Sequence, residues 1–177
     1  FGRAETLANH VASLWDGEIA PGRAPGAPYI VCTGGEPLLQ KGVYPLMDAL
    51  LARGYEVLLE TGGHVPLTQV PAAVKKIVDV KCPGSGESAR NHWDNLAIVG
   101  SDDEVKFVVK DRADYEFARR AVEEHRLLER VKAVHFSPVH GVLDPRVLAE
   151  WVLADRLAVR VQLQVHKYIW PPDTRGV

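Results

Sequence analysis

The sequence predicts an α/β domain built on a parallel sheet, and three observations lead there. Six runs rich in β-branched residues recur along the chain, helix signals fill the spaces between them, and glycines and polar residues gather just after the runs. Five steps separate the run starting at Tyr29 from the one starting at Val159, an average of about 26 residues. A strand of ~5–6 residues, a helix of ~11–12 and two loops need about that length. Such spacing favours successive βα units, whose strands lie parallel.

In chain order, residues 4–15 read as a helix whose preceding strand is expected upstream of this chain. Residues 17–28 are rich in Gly, Pro and Ala and are expected to form an exposed loop. The first strand is residues 29–32. Leu39, Val43, Met47 and Leu50 then fall at i, i+4, i+8 and i+11, one face of a helix that Gly54 stops. Strands are expected at 55–60 and 77–81, followed by an irregular segment at 83–91. After a strand at 105–110, Asp111 is the expected N-cap of a helix with Tyr115, Ala118 and Val122 on one stripe. A strand at 133–137 precedes Asp144-Pro145, a cap and first-turn pair, with Leu148, Trp151 and Val152 as the buried face. The last strand is expected at 159–163. No internal repeat or low-complexity tail interrupts this single-domain reading of residues 1–177.

Composition narrows the function classes. The chain has 177 residues, 46% hydrophobic and 25% charged, the proportions of a globular protein with a substantial core. Its 21 basic and 23 acidic residues leave a net charge of −2, with no basic surplus for a nucleic-acid backbone. No apolar stretch reaches the ~18 residues of a membrane span, and no signal peptide is visible. Two cysteines, Cys32 and Cys82, are too few for a disulfide framework and fit a reducing cytoplasm. The single methionine is Met47 and the chain begins at Phe1, so further sequence is expected upstream.

In parallel α/β sheets ligands gather beyond the carboxyl ends of the strands. The first strand leads into Thr33-Gly34-Gly35-Glu36-Pro37. Adjacent glycines let a backbone approach a ligand. Thr33 offers a hydroxyl, and the loop carbonyls and Glu36 can accept hydrogen bonds from an ammonium group. The plainer reading is a tight strand-to-helix turn with Glu36 complementing a helix dipole; the residues leave both open. A phosphate cradle is disfavoured, for the segment has neither GxGxxG nor the Lys-Ser/Thr of a P-loop. Glu60 can hydrogen-bond a substrate or pair with Lys106 or Lys81. Gln164 and His166 share a face if the final strand alternates, where His166 suits a structural role as well as a substrate contact. His10, His64, His92, His125 and His135 show no metal-ligand spacing, and Trp15, Trp93, Trp151 and Trp170 read as packing residues.

A longer pattern carries a resemblance. Thr33-Gly34-Gly35-Glu36-Pro37 resembles the S-adenosylmethionine (SAM) contact of radical SAM enzymes. The string from Val31 to Gln40 is similar to one branch, the 7-carboxy-7-deazaguanine synthases. Glu60-Thr61-Gly62-Gly63 resembles that family's Glu-Thr-x-Gly, and Asp79-Val80-Lys81-Cys82-Pro83 its Asp-x-Lys-x-Pro. Asp103 to Val108, Phe136-Ser137-Pro138-Val139 and the ending from Gln164 to Val177 follow in the family's order.

The resemblance implies an incomplete, compact (β/α) radical-SAM-type barrel holding SAM, a 4Fe–4S cluster and Mg²⁺. The cluster would reduce SAM to a radical that takes hydrogen from 6-carboxy-5,6,7,8-tetrahydropterin. Ring contraction then gives 7-carboxy-7-deazaguanine and ammonia for queuosine-type nucleosides. It further implies a reductase or flavodoxin electron donor and a homodimer. Carried over by residue, substrate contacts fall on Thr33 and the C-terminal carboxylate of Val177; Glu60 and His166 join them as candidate substrate contacts on the reading of the residues given above. SAM contacts fall on Gly34, Gly35, Glu36, Lys81, Cys82 and Pro83, and on Ser137, Pro138, Val139 and His140. One departure stands out. A cluster needs three thiolates close together, whereas Cys32 and Cys82 stand 50 positions apart, so the triad is expected upstream of Phe1. Two alternatives compete: a SAM methyltransferase on an open doubly wound sheet, and an inactive barrel that binds SAM or pterin.

Overall fold

A computed structural model describes residues 2–15, 29–171 and 174. The expected loop at 17–28, the Trp15 side chain and Val177 lie outside the described residues. Helix α1 (Gly2–Trp15) comes first, then β1 (Tyr29–Cys32), α2 (Val43–Ala52), β2 (Glu56–Thr61) and β3 (Lys75–Val80). After short 3-10 turns and α3 (Asn95–Ile98) come β4 (Glu104–Val109), α4 (Arg112–Glu124), α5 (Leu127–Arg130) and β5 (Ala133–Pro138). The chain continues through α6 (Pro145–Ala154), β6 (Arg160–Val161) and α7 (His166–Ile169). No helix among the described residues is long and apolar enough to cross a membrane.

All six strands are parallel and lie in sequence order, β1 to β6, in a sheet that does not close. Right-handed crossovers in a sheet that never reverses order put the connecting helices on one side. The order never reverses, so this is not the doubly wound sheet on which the methyltransferase alternative rests. The helix side is apolar: Val57, Leu59, Val78, Phe107 and Phe136 are buried with Met47, Leu50 and Tyr115 of the helices. The opposite side carries the other half of each strand's alternation, including Glu60, Ile77, Asp79, Glu104 and Lys106. The ladders pair Asp79 with Lys106, Lys106 with His135, and His135 with Arg160. These four residues therefore form one row across the open face.

Helix ends follow the sequence signals. Asp111 accepts from Asp114 N at 3.0 Å and Asp144 from Arg146 N at 2.8 Å. Two expectations are corrected. Leu39 is not on the buried stripe of α2: Pro37 opens a 3-10 turn over Pro37–Leu39, α2 starts only at Val43, and Leu39 is 66% exposed. The last strand is cut to Arg160–Val161. Its final ladder bond runs from Gln162 N to Phe136 O, and the next would need the N–H that Pro138 lacks. Gln164 therefore lies outside the sheet and His166 opens α7, so the expected strand alternation does not place either.

Candidate active site

The open face holds a cavity of about 280 Å³. Thr33, Gly34 and Gly35 after β1, Glu60 to Gly62 at the end of β2, and Lys81 after β3 form its rim. Ile77, Asp79, Glu104, Lys106 and His135 lie along its floor, with Gln162 at the far edge. Gly34 has φ 135°, a conformation that favours glycine, and exposes the turn's backbone to the cavity. Thr33 donates its hydroxyl proton to Glu60 Oε2 at 3.2 Å, and both are exposed. Glu60 thus pairs with neither Lys106 nor Lys81.

Glu36 faces inward. Its carboxylate accepts from Leu38 N at 3.1 Å, from the Thr61 hydroxyl at 2.9 and 3.0 Å, and from Gly62 N at 2.8 Å. With His64 Nδ1 at 3.7 Å and only 5% of its side chain exposed, its oxygens are engaged within the protein. Glu36 fixes the loops after β1 and β2 against each other, and the carbonyls of that loop are what it presents to the cavity. Gly63, with φ 74°, lets the second loop pass the sheet: an added Cβ would stand 2.8 Å from Asp79 O. Asn95 anchors the same loop, accepting from Leu67 N at 2.9 Å and donating to Gly63 O and Val65 O.

Two side chains, half-buried Asn91 and buried Asp114, hold the loop after β3. Asn91 exchanges hydrogen bonds of 2.9 Å with the main chain of Lys81. Asp114 accepts from Gly84 N at 2.7 Å and from Lys110 N at 3.0 Å. Lys81 Nζ lies 2.6 Å from Asp79 Oδ2 at the cavity, and Pro83 is exposed on the 3-10 turn that follows. Cys82 points the other way. Its side chain packs in the core, and burial, with Asp114 and Asp79 near, pushes its thiol well above the ordinary value. Cys82 offers a ligand its main chain only. Burial also raises the Cys32 thiol. Neither cysteine is a ready thiolate, and the two do not fit a cluster.

The floor holds what the sequence pattern missed. His135 is 6% exposed and its Nε2 lies 2.8 Å from Glu104 Oε2. Lys132 stands 3.5 Å from the other oxygen of Glu104. Asp79 Oδ1, His135 Nδ1 and Ser137 Oγ are buried without a hydrogen-bond partner among the described residues. Buried polar atoms are ordinarily paired, and these three belong to adjacent levels of the same face, since the ladder aligns Ser137 with Val108 and His135 with Lys106. Lys106, half-buried, has no ion-pair or hydrogen-bond partner among the described residues. His135 carries no metal spacing, so only the alternation of β5 with β4 could have placed it; the fully buried run 133–138 obscures that alternation.

Beyond Ser137, Pro138 is buried, Val139 N donates to Val109 O at 2.9 Å, and His140 meets the Tyr168 ring edge-on at 4.9 Å. His166 is half-buried on α7 and does not line the cavity. A second cavity, about 510 Å³, opens at the opposite, N-terminal ends of β3 and β4. Its charged pair is already satisfied: Asp103 accepts from Lys76 N at 2.7 Å and Gly100 N at 2.9 Å, and Lys76 Nζ bonds Val74 O at 2.7 Å. The smaller cavity therefore holds the unmet hydrogen-bonding capacity.

The chain is 50% identical over 167 residues to the 7-carboxy-7-deazaguanine synthase of Koribacter versatilis, covering 87% of this chain and 74% of that protein. It is 47% identical over 154 residues to the synthase of the same description from Chlorobaculum tepidum, covering 85% and 70%. A third relative so described, from Methanospirillum hungatei, is 38% identical over 157 residues, covering 88% and 64%. The fold is similar to the crystal structure of Streptococcus suis SuiB, with a TM-score of 0.58 at 9% identity over 91% of this chain and 43% of that one. No family model matches the chain. With identity at this level across most of its length, the chain belongs to the family of 7-carboxy-7-deazaguanine synthases, which are lyase-type enzymes.

Proposed function

We propose that the open face of this sheet grips SAM at its rim and 6-carboxy-5,6,7,8-tetrahydropterin on its floor. The reaction is the ring contraction that releases ammonia and yields 7-carboxy-7-deazaguanine for queuosine-type nucleosides. The observation that carries this reading is the set of three buried polar atoms on one face that have no partner among the described residues, Asp79 Oδ1, His135 Nδ1 and Ser137 Oγ. A hydrogen bond made there by a ligand relieves a desolvation cost of about 1–3 kcal/mol per group.

The residues divide by level. At the rim, the carbonyls of the Gly34-Gly35 turn suit the ammonium of SAM, the main chain of Lys81, Cys82 and Pro83 suits its adenine or carboxylate, and Ser137 suits the ribose diol. Pro138, Val139 and His140 continue that wall. Also at the rim, Thr33 and Glu60 form a linked donor–acceptor pair that can reach the pterin from above, and on the floor Lys106 supplies a cation without a competing carboxylate partner among the described residues. SAM, when bound, supplies the radical initiator. The protein's part is to hold the pterin's reacting carbon against it and to exclude water.

The terminal carboxylate of Val177 remains a proposed substrate contact by resemblance, which also implies a Mg²⁺ ion, an electron donor of reductase or flavodoxin type and a homodimer; His166 as a substrate contact and a cytoplasmic setting remain proposals from the sequence itself. Among the described residues no group of three or more His, Cys, Asp or Glu side chains could hold a metal ion, so no step is assigned to one. The experiment is anaerobic equilibrium dialysis of the chain against S-adenosylhomocysteine and 6-carboxy-5,6,7,8-tetrahydropterin. Retention of both together is expected; retention of neither overturns the reading.

A further inference from the structure

We infer that His135, oriented by Glu104, is a specificity-determining contact that accepts a hydrogen bond from a ring N–H of the reduced heterocycle. The inference rests on the proposed function and adds a residue and a role to it. Glu104, itself beside Lys132 at 3.5 Å, is the acceptor for His135 Nε2 at 2.8 Å. A carboxylate takes a proton and gives none, so Nε2 carries the hydrogen of the neutral ring. Nδ1 is then a bare acceptor. It is buried, has no partner among the described residues and belongs to a side chain that lines the cavity.

Depth decides which ligand it meets. The proposed SAM contacts lie on the turns at the strand ends, from Gly34 after β1 to Ser137 and beyond on β5. His135 sits one inward-facing step below Ser137, level with Asp79 and Lys106. At that level an acceptor beside a cation sorts ligands by their donors. The tetrahydropterin ring presents N–H at positions 5 and 8, where the fully oxidised ring presents lone pairs. A lone pair facing Nδ1 is repelled, so this contact favours the reduced heterocycle. Glu104 acts through His135 and is a positioning residue.

Two variants separate a ligand contact from a structural tie. His135→Asn places its amide near the Nδ1 position and loses the bond to Glu104. His135→Gln reaches Glu104 and leaves the Nδ1 position empty. In anaerobic dialysis, His135→Gln is expected to raise the dissociation constant for 6-carboxy-5,6,7,8-tetrahydropterin about tenfold, and His135→Asn less than threefold. Neither is expected to change S-adenosylhomocysteine affinity more than twofold. A larger loss in His135→Asn than in His135→Gln, or no loss in either, overturns the inference. So does a loss that falls on S-adenosylhomocysteine instead. If either variant fails to fold, the wild-type chain still decides. It is expected to bind fully oxidised 6-carboxypterin at least tenfold more weakly than the tetrahydro form, and equal affinities overturn the contact. Wild-type retention of neither S-adenosylhomocysteine nor the tetrahydropterin sinks the underlying reading instead, and is distinguishable from these results.

Discussion

Two polar clusters border the same cavity and are built on opposite terms. At the β1 and β2 loops, both oxygens of Glu36 accept from Leu38 N, Thr61 Oγ1 and Gly62 N, and its side chain is almost wholly covered. On the floor Asp79 and His135, and one step above them Ser137, each keep a buried atom without a partner among the described residues. A buried carboxylate whose bonds are complete contributes to stability, and removing it strands its donors. A buried acceptor left open costs stability in the empty protein and returns it when a ligand arrives. The first cluster is scaffold, and the proposed function assigns recognition to the second.

Substitutions separate the two. Glu36→Ala strands three donors and is expected to lower unfolding stability by about 3 kcal/mol in urea denaturation. A loss below about 1 kcal/mol would put Glu36 with the recognition groups. Gly63→Ala forces a side chain into a left-handed backbone, 2.8 Å from Asp79 O. A loss of about 2 kcal/mol is expected by thermal unfolding, together with weaker pterin binding because Asp79 must shift.

Alkaline pH tests the core beneath the rim. The buried Cys82 thiol has its pKa raised by burial above its usual value near 9. It contributes stability that is complete below that pH and declines above it, where the unfolded chain releases the proton and the folded one does not. Tyr115, raised by burial and by its bond to Asp155, adds to the decline above about pH 10. Stability measured from pH 8 to 11 is expected to fall, and Cys82→Ala to fall less steeply between pH 9 and 10. Equal slopes would mean that the thiol titrates freely. The smallest stability effect belongs to Ser137→Ala. Removing a buried hydroxyl that has no partner among the described residues relieves its desolvation cost and is expected to raise unfolding stability by about 1 kcal/mol. S-adenosylhomocysteine binding weakens severalfold, as for one lost hydrogen bond of about 1 kcal/mol.

Much of the frame was legible in the chain. The spacing of β-branched runs located all six strands, three of which (β2, β3 and β4) bury alternate residues, and the caps at Asp111 and Asp144 began the helices they were expected to begin. The misses have local causes. Pro37 diverts the chain into a 3-10 turn that removes Leu39 from its stripe, and Pro138 stops the β5–β6 ladder before Gln164 and His166 can join it. The resemblance marked the rim, since turn glycines and Lys81 stand in contiguous motifs. On the floor it took in Asp79, Glu104 and Lys106 without giving them a role, and it left out His135. His135 comes from another strand, and only register sets it beside Lys106. Asn91, Asn95 and Asp114, which hold the loops, likewise act across about 10 to 32 positions of chain.

The most direct test compares the two cavities by backbone hydrogen exchange, with and without S-adenosylhomocysteine plus 6-carboxy-5,6,7,8-tetrahydropterin. Slowed exchange is expected at residues 33–36, 79–83 and 135–139, with residues 98–103 at the larger cavity unchanged. Slowing confined to residues 67–76 and 98–103, with the β5 strand unmoved, would contradict the assignment of the open face.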